Sequence, residues 1–411
     1  MAKITTLYAD ENGEIFSAAG MTGAARLGGE TVPLTEDMLV PLPDSADLMF
    51  LPERSAVGYD KKGNLVTLPG RAVSAILPAG YTRLLLPAFK KEKGASMLPL
   101  FGYTAVVLRK GTLCAAALYT DKNDKWDPMQ YNTRALKRLV RDMKKKFPEN
   151  RLVAHLANCS LEWHCCTAQN LFYHRWEAGI PVSPVCNANC LGCISLQPAE
   201  CCPSPQSRIA FRPTAEEVTE LSVYHLSEAP DAIVSFGQGC EGEPSLAADM
   251  IAESIRAVRA RTHRGQININ TNAGFTEGIK KIVDAGLDTM RVSIVSAREE
   301  SYQAYYRAGY PLENVKASIR YALEHGVYVS LNLLYFPGFN DRPEELDAWK
   351  EFFRELPLQM IQMRNLNLDP DFFLSTVPVS HKKPLGTKPF LRALHESFPS
   401  ILIGSFSHFV K

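Results

Sequence analysis

The segment CNANCLGC places Cys186, Cys190 and Cys193 in the spacing C-x3-C-x2-C. Thiolates are soft ligands that suit iron-sulfur centres and zinc, and three so close in sequence can wrap one corner of a metal cluster. A cubane cluster has four irons, so three cysteines leave one iron without a protein ligand and open to a small molecule. Further along, SFGQGCEGEPSL carries Gly237, Gly239 and Gly242 in the spacing G-x-G-x-x-G, a pattern that cradles pyrophosphate when it joins a strand to a helix. A dinucleotide site also wants an acidic residue at the end of the following strand. That strand, QININTNAG, ends instead in Thr271, Asn272 and Ala273. Glu243 moreover sits where the anion would approach the helix end. A dinucleotide-binding oxidoreductase is therefore the weakest of the readings.

The chain has 10 cysteines, many of them between Cys159 and Cys240. Cys159, His164, Cys165 and Cys166 lie in NCSLEWHCC, Cys201 and Cys202 in AECCPSP, and Cys240 stands two residues before Gly242. Outside the main motif there is no C-x2-C pair, and adjacent cysteines rarely turn both sulfurs to one metal. Buried unreactive thiols are the default reading, with an auxiliary iron-sulfur or zinc site as the alternative. Disulfides would be out of place in a reducing cytosol.

These residues need elements to hold them. A chain of 411 residues with 46% hydrophobic composition is too long for one ordinary core and reads as two or three packed units. Residues 1 to about 128 are proline-rich with short alternating runs, and TAVVLRKGTLCAAALYTD reads as a hairpin folded at Lys110 and Gly111. NTRALKRLVRDMKKKF follows as an amphipathic helix. Leu136, Leu139 and Met143 make its apolar stripe, while its basic residues read as a solvated face rather than an RNA patch.

From about residue 180, strands alternate with helices: GIPVSPV, DAIVSFG, QININTN, DTMRVSIVS, VYVSLNLLY and MIQMRNLNL. Thr214 and Glu217 form a capping box at one helix start, and Asp341 opens another helix with Pro343 in its first turn. Such alternation means about six parallel strands with covering helices, closed as a barrel or open as a doubly wound sheet. Either places its site at the carboxyl ends of the strands, where both motifs fall. The expected organisation is a β-rich domain with the basic helix over 1–150, a Cys/His-containing linker over 151–179, the β/α unit over 180–370 and a short extension over 371–411.

The 45 basic and 44 acidic residues nearly cancel, so no global field draws the chain to nucleic acid or anionic lipid. The N-terminus has no signal-peptide core and no apolar run approaches the ~20 residues that span a bilayer, which reads as a soluble, cytoplasmic protein without membrane partners.

C-x3-C-x2-C just after the first strand of a β/α repeat resembles the radical S-adenosylmethionine (radical SAM) superfamily, over roughly residues 180–370. The resemblance implies a partial (β/α)6 barrel in which Cys186, Cys190 and Cys193 hold a 4Fe-4S cluster. Its open iron would chelate S-adenosylmethionine, and one electron would cleave that molecule to a 5′-deoxyadenosyl radical. It further implies that Gly242, Glu243 and Pro244 form the G-G-E-P-like segment that engages the methionine amino group. Asn272 in INTNAG, Ser293 in VSIVS, Asn332 on the fifth strand before YFPGFND, and Arg307 in YQAYYRAG would bind the rest of the cofactor. Ordinary strand-end hydrogen bonding is the other reading of those four. Where the family often has an aromatic residue before the last cysteine, this chain has Gly192, so adenine would need Leu191 or Ile194.

An electron donor such as a flavodoxin or ferredoxin is implied, with a peptide, RNA or small molecule as substrate. GCEGEP is similar to the G-M-G-E-P of ribosomal RNA methyl synthases, but no cysteine pair for methyl transfer is identifiable. The N-terminal unit either recognises substrate or covers the barrel bottom. The alternative of another class is a zinc-ribbon binding or scaffold protein, its structural four-cysteine site closed by Cys201 or Cys202.

Overall fold

The computed structural model describes residues 4–197 and 203–410. Strands between Ile4 and Tyr119 form an eleven-stranded antiparallel sheet. Its hairpin turns at Lys110 and Gly111 as expected: Arg109 pairs with Thr112, and the two turn residues take φ of 50° and 86°. Positive φ at both centres matches the right-handed twist of the flanking strands.

The second sheet is wholly parallel and its seven strands lie in chain order: Glu177–Gly179, Ile233–Phe236, Gln266–Thr271, Thr289–Ile294, Tyr328–Tyr335, Met360–Asn365 and Leu402–Gly404. The seventh strand comes from ILIGSF, in the stretch read from sequence as an extension; at three residues it is too short to show a period of its own. The first is also short. After Gly179 the chain leaves the sheet, so most of GIPVSPV runs on beyond it.

Along the parallel strands apolar and polar residues alternate. Ile267, Ile269, Met290, Val292, Val329, Leu331, Ile361 and Met363 enter the apolar core. Asn270, Arg291, Ser293, Asn332 and Arg364 face a cavity on the other side. Parallel strands covered on both faces by apolar layers read as near-continuous hydrophobic runs, so a polar inner row marks a sheet that curls around a polar space. The curl is visible in one ion pair. Arg291 on the fourth strand reaches Glu177 on the first, and its guanidinium also donates to Ser235 Oγ on the second at 3.0 Å. In a flat sheet the first and fourth strands would stand roughly 14 Å apart, three spacings of about 4.8 Å. Among the described residues the first and last strands do not pair, which leaves an open, curled sheet.

Helices Leu136–Lys146, Arg151–Leu161 and Cys166–Tyr173 share one apolar core with this sheet. The first buries Leu136, Val140 and Met143 and leaves its basic residues outward. The capping box is formed: Glu217 N donates to Thr214 Oγ1 at 3.2 Å and Thr214 N to the Glu217 carboxylate at 2.8 Å. At the later helix Pro343 holds the first turn as expected, but the cap is Arg342. Asp341 turns inward to accept the Gly338 N–H at 2.6 Å, a local turn bond that competes with capping.

The antiparallel sheet docks on the carboxyl edge of the parallel one. Gly28 N donates to Pro337 O at 3.0 Å, just after the fifth strand, and Arg83 N to Asn365 Oδ1 at 3.0 Å, at the end of the sixth. Arg54 and Asp369 form a buried ion pair across the junction at 3.1 Å, and Asp369 also accepts the Leu98 N–H at 2.8 Å. Removing one partner of such a pair typically costs about 3–5 kcal/mol, because the other charge is left buried alone. The N-terminal unit thus sits at the end of the sheet where the motifs lie. Among the described residues no helix is long and apolar enough to cross a membrane.

Candidate active site

The glycine-rich turn is shaped for backbone contact. Gly242 N donates to Ser183 O at 2.7 Å and Glu243 N to Val185 O at 2.8 Å, which lays the turn along the segment leading into Cys186. A Cβ at Gly242 would collide with the Val185 carbonyl, and one at Gly237, whose φ is +80°, with the Asn270 carbonyl. The glycines therefore permit close approach of two chain segments. With those two N–H groups already spent, the loop is not a phosphate cradle.

Glu241 locks the same turn and was passed over in the sequence. Its carboxylate accepts the N–H groups of Val182 (2.7 Å), Ser183 (3.0 Å), Gly237 (2.7 Å) and Gln238 (2.7 Å). Burial pushes this carboxyl up to about 7 against the pull of those amides. An acid flanked by glycines between strand and helix is the only sequence signal it gave.

Cys186, Cys190 and Cys193 line a cavity of about 240 Å³ together with Gly242, Glu243, Pro244, Asn272 and Ser293. The cysteine loop is held at several points. Asn189 N donates to Tyr306 O at 2.9 Å, Leu191 N to Tyr305 O at 3.0 Å, and Asn272 Nδ2 to Asn187 Oδ1 at 2.7 Å. Arg208 donates to Cys193 Sγ at 3.5 Å. Burial, then the neighbouring Cys186 and Cys193, push the Cys190 thiol well up, and burial raises Cys186. Three thiolates in this place need a cationic centre to balance them.

The trio fits a multi-iron cluster better than a single ion. Among the described residues the one Cys/His/carboxylate group whose ligand atoms all lie within 4.8 Å of one another is elsewhere, so these three sulfurs are spread more widely than single-ion ligands. No other described cysteine lines this cavity. Cys201 and Cys202, the fourth ligands of the zinc-ribbon reading, lie outside the described residues.

Glu243 is buried and takes hydrogen bonds from Ser245 N (3.0 Å), Asn272 N (2.8 Å) and the Thr271 hydroxyl. Burial raises its carboxyl despite these donors. A carboxylate has about four acceptor positions, so three donors leave room for one more from the cavity. Pro244 follows at the first position of a short 3-10 helix that Glu243 caps. Asn272 lines the cavity but commits both side-chain atoms to the protein, giving Nδ2 to Asn187 and accepting Gly274 N at 2.9 Å. Its present work is to tie the third strand to the cysteine loop.

Ser293 borders this cavity and a larger adjoining one, and its carbonyl accepts the Tyr306 hydroxyl at 2.7 Å. Asn332 lines the larger one and its buried Oδ1 lacks a hydrogen-bond partner there. Arg307 is set apart: it ends helix Glu299–Tyr306 in the left-handed conformation, is exposed, and lines neither cavity. Ile194 lines both cavities, whereas Leu191 turns into the core. A Cβ at Gly192 would stand 3.2 Å from the Tyr305 hydroxyl, so that tyrosine crowds the place of a larger residue there.

The larger cavity measures about 390 Å³ and shares Ile194, Gly237, Gly239, Asn270 and Ser293 with the first. Trp126, Cys165, Cys166 and Phe406 help close it, and Glu177, Arg291 and Arg364 furnish charge. Burial pushes the Glu177 carboxyl up, but the Arg291 guanidinium and Ser235 hydroxyl outweigh this and hold it below its usual range. Burial, then Arg291, lowers Arg364. None of these three was singled out from sequence; the period-two alternation in TMRVSI and MIQMRN was the available signal.

The remaining cysteines separate. Cys159 and Cys240 are buried and share a hydrogen bond that draws the Cys159 thiol down and Cys240 up. His164 is exposed and bonded through Nδ1 to Asn132 Oδ1 at 2.8 Å.

Residues 180–349 match the family model described as the radical SAM superfamily. A protein of Methanothermobacter marburgensis named probable GTP 3',8-cyclase is 33% identical over 136 residues, which is 32% of this chain and 42% of that one. An uncharacterized protein of Methanocaldococcus jannaschii is 26% identical over 196 residues, 46% of this chain and 58% of its own. The match thus spans less than two thirds of either relative. Among solved structures, methylornithine synthase superposes with a TM-score of 0.39 at 16% identity, covering 68% of this chain and 74% of that one.

Proposed function

We propose that this chain, whose residues 180–349 match the radical SAM superfamily model, is an enzyme of that superfamily, that Cys186, Cys190 and Cys193 hold its 4Fe-4S cluster, that the smaller cavity receives S-adenosylmethionine, and that the larger one receives the substrate. Held by Cys186, Cys190 and Cys193, such a cluster would supply the electron for reductive radical chemistry on S-adenosylmethionine. The observation that carries this reading is the junction of the two cavities. The cysteines and Glu243 share one space, and its wall of Ile194, Gly237, Gly239 and Ser293 is also the wall of the next.

Each residue has a separate task in this reading. Glu243 accepts the methionine ammonium at its remaining acceptor position, oriented by Ser245, Thr271 and Asn272. Gly242 and Pro244 set the turn that presents it. Asn272 keeps the cysteine loop in register. Ile194 offers the adenine an apolar surface, and Ser293, at the border, faces the sugar. Asn332 offers its unpartnered oxygen in the substrate cavity. Arg307, exposed and apart, is left without a role at the cofactor.

The substrate cavity holds two guanidiniums against one carboxylate and so carries an excess positive charge that favours a polar or anionic group. About 390 Å³ suits a small molecule or one protruding residue of a peptide or RNA. An external one-electron donor, of flavodoxin or ferredoxin type, is required because the chain must be re-reduced for each cleavage. The test is anaerobic: wild-type protein with dithionite and S-adenosylmethionine forms 5′-deoxyadenosine, and Cys190→Ala does not. Undiminished 5′-deoxyadenosine in the variant would overturn the assignment.

A further inference from the structure

We propose that His155, Cys159 and Cys240 form a second metal site, for a single tetrahedral ion of the zinc class, that staples helix Arg151–Leu161 to the loop carrying Glu241, Gly242 and Glu243. The imidazole nitrogen and both sulfurs lie within 4.8 Å of one another, with His155 Nε2 and Cys159 Sγ 3.5 Å apart. Zinc binds nitrogen at about 2.0–2.1 Å and sulfur at about 2.3 Å, so two such ligands on a tetrahedral ion stand about 3.6 Å apart. The His155–Cys159 spacing matches that geometry. Thiol–imidazole hydrogen bonding alone gives a similar spacing, and metal titration separates the two.

The frame around the trio is rigid. His155 and Cys159 are four residues apart on one helix face, the spacing that brings side chains on successive turns together. Phe211 stands edge-on to the imidazole at 6.4 Å between ring centroids. Cys159 O accepts the Cys165 N–H at 3.0 Å, and Cys240 O accepts the Ile209 N–H at 2.7 Å, so the backbone behind both sulfurs is fixed. Cys159 is fully buried and Cys240 is 4% exposed, which removes bulk water from the sulfurs. Two thiolates and an imidazole are the soft and borderline donors that zinc selects over harder cations. Three protein ligands leave a fourth position for water or a further thiol. Cys165 caps the next helix and lines the larger cavity, and its N–H bond to Cys159 O ties the site to that cavity's wall.

The site is independent of the cluster and is tested without it. In the full-length Cys186→Ala/Cys190→Ala/Cys193→Ala chain, purified without oxygen and stripped with chelator, Co²⁺ should bind at one ion per chain. Binding should give intense visible d–d absorption of tetrahedral cobalt and a near-ultraviolet thiolate charge-transfer band, both displaced by one equivalent of Zn²⁺. Adding Cys159→Ser or His155→Ala should abolish the tetrahedral spectrum while far-ultraviolet circular dichroism stays unchanged. If the triple variant does not fold, the same titration on stripped wild type and on Cys159→Ser/Cys240→Ser should differ by one tetrahedral cobalt per chain. A folded parent without tetrahedral cobalt absorption, or a spectrum that survives these substitutions, would overturn the proposal, and neither result bears on the cluster.

Discussion

The two sulfur-rich regions of the molecule arrange the same side chain in opposite ways. Cys186, Cys190 and Cys193 come from one short loop, do not all lie within 4.8 Å of one another and border an open cavity. Cys159 and Cys240 come from a helix and a distant turn, meet with His155 in a tight group and are buried. Spread thiols around a space suit several metals, each taking one thiolate, with a vertex left for a ligand. A tight trio suits one ion enclosed by protein. Geometry, more than cysteine count, separates a reactive centre from a structural staple.

The largest effect that sharpens this contrast is expected from Cys190→Ala. It should eliminate cluster iron and sulfide and reduce 5′-deoxyadenosine at least ~100-fold, the scale of losing a catalytic group. Cys159→Ser should retain the cluster iron. Iron, sulfide and product assays on both proteins check the pair, and a loss of the cluster in both would erase the distinction.

Gly242→Ala should come next. Its Cβ meets the Val185 carbonyl, backbone that cannot rotate away, so overpacking should lower stability by about 1–3 kcal/mol or more. The cluster loop should load poorly while tetrahedral cobalt binding by His155 and its partners persists, as titration of the variant would show. Glu243→Gln removes a charged acceptor from the cofactor cavity. Hydrogen bonds to charged groups are worth about 1.5–3 kcal/mol, so the KM for S-adenosylmethionine should rise roughly 10- to 100-fold with cluster iron unchanged. An unaltered KM would remove Glu243 from cofactor binding.

The smallest effect concerns the support of the tight group. Arg151 begins the helix that carries His155 and Cys159, and it pairs with Glu217 at 2.7 Å. The Arg151 guanidinium, with help from the Thr214 amide, holds the Glu217 carboxyl at about 2. Because that value lies below the unfolded one near 4.5, the stabilisation is complete above about pH 4.5 and is lost as pH falls towards 2. Glu217→Gln should cost about 1 kcal/mol at pH 7, in keeping with a cap and a partly exposed pair. The gap to wild type in denaturant midpoint should close as the medium is acidified below about pH 4.5, and a constant gap would contradict the pairing.

What was legible in the sequence follows from how local each signal is. The cysteine loop and the Gly-Glu-Pro turn lie within a few residues each and at strand ends, so both were readable locally, and the family resemblance they carry supplied the expected chemistry. The strand rhythm reported the parallel sheet. The seventh strand escaped because Leu402–Gly404 is too short to show a period, and only pairing with the sixth makes it a strand. His155 was invisible for another reason: nothing in LVAHLANCSL links it to Cys240 until the fold brings helix and turn together. Glu241 was hidden in plain view, since its role depends on four amides gathered from two loops. The inner charges Arg291, Arg364 and Glu177 line a cavity, a role set by the direction in which the sheet curls and not by any local spacing.

The central claim is that three thiols hold a cluster and leave one iron open. Electron paramagnetic resonance of the dithionite-reduced Cys159→Ser/Cys240→Ser protein, recorded before and after adding S-adenosylmethionine, tests it most directly. A 4Fe-4S signal whose g-values shift on addition is the expected result. A signal indifferent to S-adenosylmethionine, or none in oxygen-free preparations of folded protein, would contradict it.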